Sequence, residues 1–201
     1  MLDKSVRLAH HRSVMGSSQP FTDRVRGCAE HLAEIGAAAL SELFDLTSVR
    51  LVRYSTTITR NQHDAEDAVQ ASLVKIAGNP KLLCGAEQPW HYMLRMIRNE
   101  SLVILRRKKR WTPSDGIIDL RTICAVDELD REDDYRAVWL ALRTLPDEQS
   151  EVVVLKIWEE LTFAQIAIML DVSPSTAASR YRYAIDKLGK HFRRDQNEVM
   201  F

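Results

Sequence analysis

Hydroxyl and basic side chains are concentrated in a short segment near the carboxyl end of the chain. They are Ser173, Ser175, Thr176, Ser179, Arg180, Arg182, Tyr183 and Lys187. Such side chains donate hydrogen bonds to phosphate oxygens and to base edges in the major groove of DNA. The segment therefore predicts binding to duplex DNA, while a plain helical hairpin with a solvated basic face is the alternative.

A second basic set lies in mid-chain, where RRKKR (106–110) ends a long helical pattern. Cations near a helix C-terminus stabilise the helix dipole, which is the simpler explanation. Adjacent like charges repel one another, however, so a polyanionic partner accounts better for the run. Neighbouring aromatic residues suit stacking on unpaired bases, with core packing as the alternative. The candidates in this set are Trp90, Arg95, Arg98, Arg106, Arg107, Lys108, Lys109 and Arg110.

The element that must position the first set is interrupted once, at DVSP (171–174). Thr162 can cap the helix before the break, and Asp tolerates the left-handed conformation that a sharp turn requires. Ser173 is suited to N-cap the next helix, with Pro174 at its first position. That helix is predicted to bury Ala177, Tyr181, Ile185, Leu188 and Phe192. The pattern predicts a helix-turn-helix, whose second helix enters the major groove.

The first half of the chain also has a helical pattern. From about residue 21 to residue 60 the expected apolar stripe is Leu32, Ile35, Leu40, Leu43, Phe44, Leu51, Tyr54 and Ile58. The β-branched residues of 47–59 make a strand the competing interpretation, but no turn or partner strand flanks them. A helix that Asp64 can cap follows and ends at Gly78, and a long helix is expected from about Pro89 to Arg110.

Residues 112–134 differ in composition, with eight acidic residues against Arg121 and Arg131. This balance is typical of a solvated linker. The sequence therefore predicts an all-α protein of two small helical domains joined by a flexible acidic linker. The expected parts are an extension that is partly disordered or one extra helix (1–36), a first domain (37–112), the linker (113–135), a second domain with the helix-turn-helix (136–194) and a tail (195–201).

Several classes of protein are disfavoured. The three cysteines are widely spaced, no apolar run is long enough to cross a bilayer, and the N-terminus lacks the apolar core of a secretory signal. These features predict a cytoplasmic protein with reduced thiols. Motifs of zinc proteases, nucleotide-binding loops, serine hydrolases and deaminases are missing from the sequence, so no enzyme, cofactor or metal is expected.

Three motifs resemble those of one known family. They are DAEDAVQASLVKI (64–76), YMLRMIRNESLVILRRKKR (92–110) and the segment 142–188. Together they resemble the RNA polymerase sigma factors of the extracytoplasmic-function (ECF) group over roughly residues 38–112 and 136–193. Several positions depart from the usual family pattern and imply an altered promoter preference or weaker binding: Ala71, Tyr92, Val103, Gln165, Asp171 and Ala178.

The resemblance implies two promoter-binding domains and three partners, which are the RNA polymerase core, promoter DNA and an anti-sigma factor. The first domain would bind the −10 element through the mid-chain basic set, with Asn99 and Trp90 helping to capture an unstacked base. The second domain would bind the −35 element through the residues from Ser173 to Lys187. The residues implied to face the polymerase clamp are Asp64, Asp67, Gln70 and Lys75.

An autonomous helix-turn-helix regulator, which binds DNA without polymerase, is the alternative function. It explains residues 161–188 but assigns no role to the DAEDAVQ helix or to RRKKR. Regulators of this kind usually dimerise to match two half-sites. The sequence shows no long heptad pattern that would support such a dimer.

Overall fold

Every regular element in the computed structural model, which describes residues 20–111 and 133–198, is a helix. The helices divide into two units. The first contains α1 (Phe21–Ile35), α2 (Ala37–Thr59), α3 (Gln62–Gly78), α4 (Lys81–Cys84) and α5 (Pro89–Trp111). The second contains α6 (Asp133–Arg143), α7 (Asp147–Ile157), α8 (Phe163–Leu170) and α9 (Pro174–Glu198). The all-α prediction is confirmed, and none of these described helices has the length and low polarity that a membrane span requires.

Much of the predicted N-terminal extension and of the linker lies outside the described residues. Residues 21–35 of the extension form α1, which packs against α2, α4 and α5. The predicted linker ends in the first turn of α6, which begins at Asp133. Helix α9 continues to Glu198, beyond the predicted end of the second domain at residue 194.

Helix α2 lies at the centre of the first unit and packs against α1, α3 and α5. The residues that fill this core with the least exposure include Leu43, Leu51, Tyr54, Ile76, Leu83, Met93, Leu94 and Ile97. Burying each aliphatic side chain contributes about 1.5–3 kcal/mol to the free energy of unfolding. The hydrophobic core therefore aligns α3 and α5, which carry the candidate polymerase and −10 residues.

Segment 47–59 is helical, which confirms the helix prediction and excludes the competing strand. Its threonines show why these β-branched residues are compatible with a helix. The Oγ1 atoms of Thr47, Thr56, Thr57 and Thr59 donate to the backbone carbonyl four residues earlier, at 2.6–3.2 Å. These bonds satisfy the hydroxyl groups inside the domain, where an unpaired donor would be costly.

Two members of the expected apolar stripe were predicted wrongly. Ile35 is 57% exposed and Phe44 is 44% exposed. The break between α1 and α2 at Gly36 explains the difference. Gly36 has a φ of 51°, in the left-handed region that favours glycine, and it interrupts the helical periodicity on which the stripe was drawn. Leu32 and Leu43, on either side of the break, are buried as expected.

The expected cap of α3 was also wrong. Asn61 is the N-cap, and its side-chain Oδ1 accepts a hydrogen bond from the backbone N–H of Asp64 at 3.0 Å. Asp64 therefore lies in the first turn of the helix, where its carboxylate is favoured by the helix dipole. The end of α3 at Gly78 agrees with the prediction.

In the second unit, α9 packs against α7 and α8. A tilted pair of indole rings, Trp139 and Trp158, lies in this unit with centroids 5.2 Å apart. The inner face of α9 differs from the prediction. The buried positions are Ala177, Ala184, Leu188 and Gly189, while Tyr181, Ile185 and Phe192 are partly exposed. Small alanines at the buried positions let the helices approach closely, and the larger side chains lie at the edges of the contact.

Candidate nucleic-acid interface

Helices α8 and α9 form the predicted helix-turn-helix, and the start of α8 is a capping box. The backbone N–H of Gln165 donates to Thr162 Oγ1 at 3.2 Å, and the backbone N–H of Thr162 donates to Gln165 Oε1 at 2.8 Å. Gln165 therefore completes the reciprocal cap that a glutamate would make. The departure from the family pattern at this position leaves the local structure intact.

The turn between the two helices depends on Asp171. Its φ of 56° and ψ of 51° lie in the left-handed region, as predicted for this position. The backbone N–H groups of Asp171 and Val172 both donate to the carbonyl of Ala167. These bonds close α8 and redirect the chain within a few residues, so that α9 begins at once.

Ser173 is the N-cap of α9, as the sequence predicts. Its Oγ accepts a hydrogen bond from the backbone N–H of Thr176 at 3.0 Å. The same oxygen lies 2.8 Å from both Ser175 Oγ and Thr176 Oγ1. All three side chains are exposed, and we call them the hydroxyl cluster. A helix N-terminus with exposed hydroxyl groups is well suited to contact phosphates and base edges.

The remaining −35 candidates follow along α9. Arg182, Tyr183 and Lys187 are exposed, whereas Ser179 and Arg180 are partly buried. The Arg182 guanidinium lies 5.3 Å from the centre of the Tyr183 ring, which is within reach of a cation–π contact. Arg180 Nη2 lies 2.6 Å from Glu148 Oε2 of α7. The guanidinium of Arg180 is thus oriented by a carboxylate from another helix.

The basic tract, which we define as Arg106, Arg107, Lys108, Lys109 and Arg110, lies at the C-terminal end of α5. All five of these side chains are exposed. Arg95 and Asn99, earlier on α5, are exposed as well, and Arg98 is partly buried. The structure therefore leaves eight of the nine −10 candidates accessible to a ligand in whole or in part.

Trp90 is the exception among the −10 candidates. Its indole is 2% exposed and packs edge-on against Phe21 of α1, with ring centroids 4.9 Å apart. The Arg50 guanidinium carbon lies 3.9 Å from the centre of the Phe21 ring and 5.4 Å from the centre of the Trp90 ring. A base cannot stack on an indole that is covered in this way. The assignment of Trp90 to base capture is therefore corrected to core packing.

The polymerase-facing candidates lie on α3. Asp67, Gln70 and Lys75 are exposed, and Lys75 forms an ion pair with Glu100 of α5. Asp64 differs from them, because its side chain is only 10% exposed and its Oδ2 accepts a hydrogen bond from Lys108 Nζ at 2.6 Å. The prediction that Asp64 faces a partner protein is therefore wrong. Its carboxylate is used within the domain.

Two titratable groups near these surfaces have shifted pKa values. Burial lowers the pKa of His91, at the start of α5, below its usual 6.5, because the charged imidazolium loses hydration. On α9, the hydrogen bond from Lys190 lowers the pKa of the Asp186 carboxyl. Asp186 therefore remains charged at neutral pH and offsets one cation on the helix that carries the −35 candidates.

Sequence reasoning missed the acidic partners of the basic candidates. Glu148 and Glu100 pair with Arg180 and Lys75, across 32 and 25 positions of sequence respectively. No local spacing rule connects residues so far apart. Only the signs of the charges could have raised the possibility of pairing.

Comparisons with known proteins show what the chain is similar to. Residues 135–188 match the family described as Sigma-70, region 4. The ECF RNA polymerase sigma factor SigL of Mycobacterium tuberculosis is 26% identical over 155 residues, which cover 76% of this chain and 88% of SigL. The RNA polymerase sigma-E factor of Streptomyces antibioticus is 25% identical over 139 residues, which cover 69% of this chain and 76% of that protein. These matches support an ECF sigma factor.

A solved structure agrees with this assignment at the level of the fold. The sigma factor RpoE of Bartonella quintana, crystallised with the anti-sigma factor NepR, has a TM-score of 0.60 to this chain. The sequences are 18% identical, and the match covers 76% of this chain and 96% of RpoE. The resemblance that the sequence motifs indicated is therefore confirmed.

Proposed function

We propose that this sigma factor directs the bacterial RNA polymerase core to specific promoters and assists promoter melting. The observation that carries the proposal is the exposed hydroxyl cluster at the start of α9, within the segment that matches Sigma-70, region 4. The basic tract in the other unit supports it as a second nucleic-acid surface. The protein would act as a dissociable cytoplasmic subunit and would carry out no catalysis of its own.

In this proposal, residues 136–194 bind the −35 element as duplex DNA. The N-terminus of α9 enters the major groove, where the hydroxyl cluster contacts base edges and nearby phosphates. Arg182 and Lys187 supply phosphate contacts further along the helix, and each should steepen the salt dependence of binding by nearly one unit. Arg180, oriented by Glu148, completes the surface.

Residues 37–112 bind the −10 element in the same proposal. The exposed side chains of the basic tract attract the phosphate backbone, and Asn99 contacts a base that has left the stack. The loop at 78–88, which contains α4, lies next in the chain before α5 and contributes to the preference for particular bases. Residues 113–135 connect the two DNA-binding domains.

Two protein partners follow from the same proposal. The exposed side chains of Asp67, Gln70 and Lys75 form the face of α3 that binds the polymerase core. Val74, which is 71% exposed, adds an apolar contact to this face. An anti-sigma factor is the second partner, since the structurally similar RpoE is bound to the anti-sigma factor NepR. Such a partner would keep the sigma factor inactive until a signal releases it.

Transcription in vitro tests the proposal directly. Purified core polymerase would be given a promoter library with and without the full chain, and the transcripts would be sequenced. We expect a set of promoters that are transcribed only when the chain is present. An autonomous regulator would instead bind DNA without polymerase and leave core transcription unchanged. The curated relatives reported above are all polymerase sigma factors, which favours the first outcome.

A single substitution tests the −35 surface. Arg180→Ala should weaken binding of the −35 duplex by about 1–3 kcal/mol while the affinity for core polymerase stays unchanged. Arg193→Ala, an exposed position further along α9, is the matched control and should have little effect. Loss of polymerase binding with normal DNA binding would show that this face of α9 has been assigned to the wrong partner.

A further inference from the structure

One member of the basic tract differs from the others. Lys108 Nζ lies 2.6 Å from Asp64 Oδ2, and this ion pair joins the C-terminal end of α5 to the first turn of α3. The Asp64 side chain is 10% exposed and the Lys108 side chain is 57% exposed. Because the Asp64 carboxylate is mostly buried, the attraction between the two groups is less screened by salt than that of a fully exposed pair.

The position of the pair suggests what it does. The five residues of the tract lie in the last two turns of α5 and are exposed, and a helix end has unsatisfied carbonyls and tends to fray. Repulsion among five adjacent cations adds to this tendency. Within the part of the chain that the structure describes, the Asp64 carboxylate is the acidic group that pairs with the tract. It provides the electrostatic contact between the helix end and the body of the domain.

A second ion pair also joins α3 to α5, so the Asp64–Lys108 contact is one of two along this pair of helices. Lys75, later on α3, pairs with Glu100, earlier on α5, so the two helices run antiparallel. Asp64 and Lys108 form the ion pair at the end of these two helices where the tract lies. The carboxylate of Asp64 is also favoured at this position by the dipole of α3. The Asp64 carboxylate is therefore stabilised both by the charge of Lys108 and by the dipole of α3.

We propose that Asp64 and Lys108 are positioning residues for −10 DNA. Their ion pair fixes the end of α5, so that Arg106, Arg107, Lys109 and Arg110 contact the phosphates while Lys108 does not. This inference rests on the proposed function. It replaces the expectation that Asp64 binds polymerase and that Lys108 binds DNA.

Salt dependence separates a positioning lysine from a phosphate contact. Holoenzyme assembled from core polymerase and the full chain would be titrated with a forked DNA whose −10 strand is unpaired, taken from a promoter selected in the library experiment. Lys109→Gln should reduce the slope of log K against log salt by roughly 0.7, the value expected for one contact to a single strand. Lys108→Gln should weaken binding roughly three- to ten-fold, as loss of about 1 kcal/mol would, and leave the slope unchanged. Equal slope reductions in the two variants would overturn the proposal.

Variants of Asp64 complete a double-mutant cycle. Asp64→Asn should reproduce the loss of affinity of Lys108→Gln, and the two changes together should cost no more than either alone. If Lys108 contacts DNA, Asp64→Asn would instead release it, giving tighter binding and a steeper slope. Thermal unfolding monitored by circular dichroism would show that each variant is folded at the temperature of the assay.

Exchange of the two charges is the strictest test. Asp64→Lys combined with Lys108→Asp keeps the net charge of the chain and permits the ion pair in reverse, although each new charge is disfavoured by its helix dipole. We expect this double variant to bind more tightly than Lys108→Asp alone. No recovery in a folded double variant would contradict the positioning role. Failure of the proposed function would be distinguishable, because the unaltered chain would then select no promoter.

Discussion

The two candidate DNA surfaces differ in their chemistry and in their place on a helix: one lies at the C-terminus of α5 and the other at the N-terminus of α9. The basic tract consists of charged side chains at the C-terminus of α5, where the helix dipole already favours cations. The hydroxyl cluster consists of short neutral side chains at the N-terminus of α9, where the dipole favours an anionic ligand. In the first case the ligand meets side-chain charges, and in the second it meets the hydroxyl groups and the end of the helix.

This difference corresponds to two kinds of recognition. Flexible cations bind the phosphate backbone of any sequence, and the energy they contribute falls steeply with salt. Short hydroxyl groups on a capped helix are held in one geometry and can discriminate among base edges. We infer that the first surface contributes mainly affinity and the second mainly selectivity for sequence. The predictions below test this comparison.

The largest effect is expected from removing three charges of the basic tract together. Arg107→Gln, Lys109→Gln and Arg110→Gln should reduce the salt slope for −10 DNA by about 2, and the affinity by about a hundred-fold at 0.1 M salt. The preference for −35 sequence should not change. Fluorescence anisotropy of the holoenzyme on labelled forked DNA would measure both quantities.

A control triple variant keeps the same change in net charge. Arg24→Gln, Lys190→Gln and Arg193→Gln alter exposed positions outside both surfaces. A slope that falls equally in the control would mean that total charge, and not the basic tract, accounts for the effect.

The next largest effect is expected from the buried face of α9, whose packing positions the hydroxyl cluster. Ala177 is fully buried between α9 and its neighbours, so Ala177→Leu should overpack the helix-turn-helix and cost about 1–3 kcal/mol of unfolding free energy. Binding of the −35 duplex should weaken with it, since α9 is displaced. Ala164→Leu, at an exposed position of α8, is the control. Chemical denaturation followed by circular dichroism is the measurement, and an equal loss in both variants would contradict the packing argument.

A smaller effect separates the two roles of Ser173. Ser173→Ala removes the N-cap and should cost about 1 kcal/mol of stability. Ser173→Asp keeps a capping side chain and should preserve stability, yet its charge should repel the −35 phosphates and lower affinity. Thermal melts combined with duplex titrations would compare the two variants. If Ser173→Asp binds −35 DNA normally, the hydroxyl cluster does not lie at the phosphates.

The smallest effect is a pH dependence of the first unit. Burial lowers the pKa of His91 in the folded state below 6.5, so the unfolded chain binds the proton first as the pH falls. The contribution of neutral His91 to stability is therefore present above pH 6.5 and is lost as the pH falls from 6.5 through the folded pKa. His91→Gln should flatten this part of the stability profile relative to the unaltered chain. Denaturant titrations between pH 5 and pH 7.5 would detect the difference.

Local sequence determined much of this protein. The helix-turn-helix followed from Thr162, Asp171 and Ser173, because caps and left-handed turns are chosen by residues within a few positions of one another. The basic tract could be predicted as a candidate polyanion-binding surface for the same reason, since a run of like charges is a property of neighbouring residues. The motifs of both domains likewise lie in continuous segments, and they were sufficient to indicate the family.

Tertiary structure decided what each polar or aromatic side chain faces. Trp90 is covered by Phe21, and Asp64 pairs with Lys108 at a sequence separation of 44, contacts that depend on how α1, α3 and α5 pack together. Likewise, Ile35 and Phe44 became exposed because Gly36 changed the direction of the chain. Burial and ion pairing depend on distances between segments remote in sequence, and these distances are set only when the hydrophobic core forms.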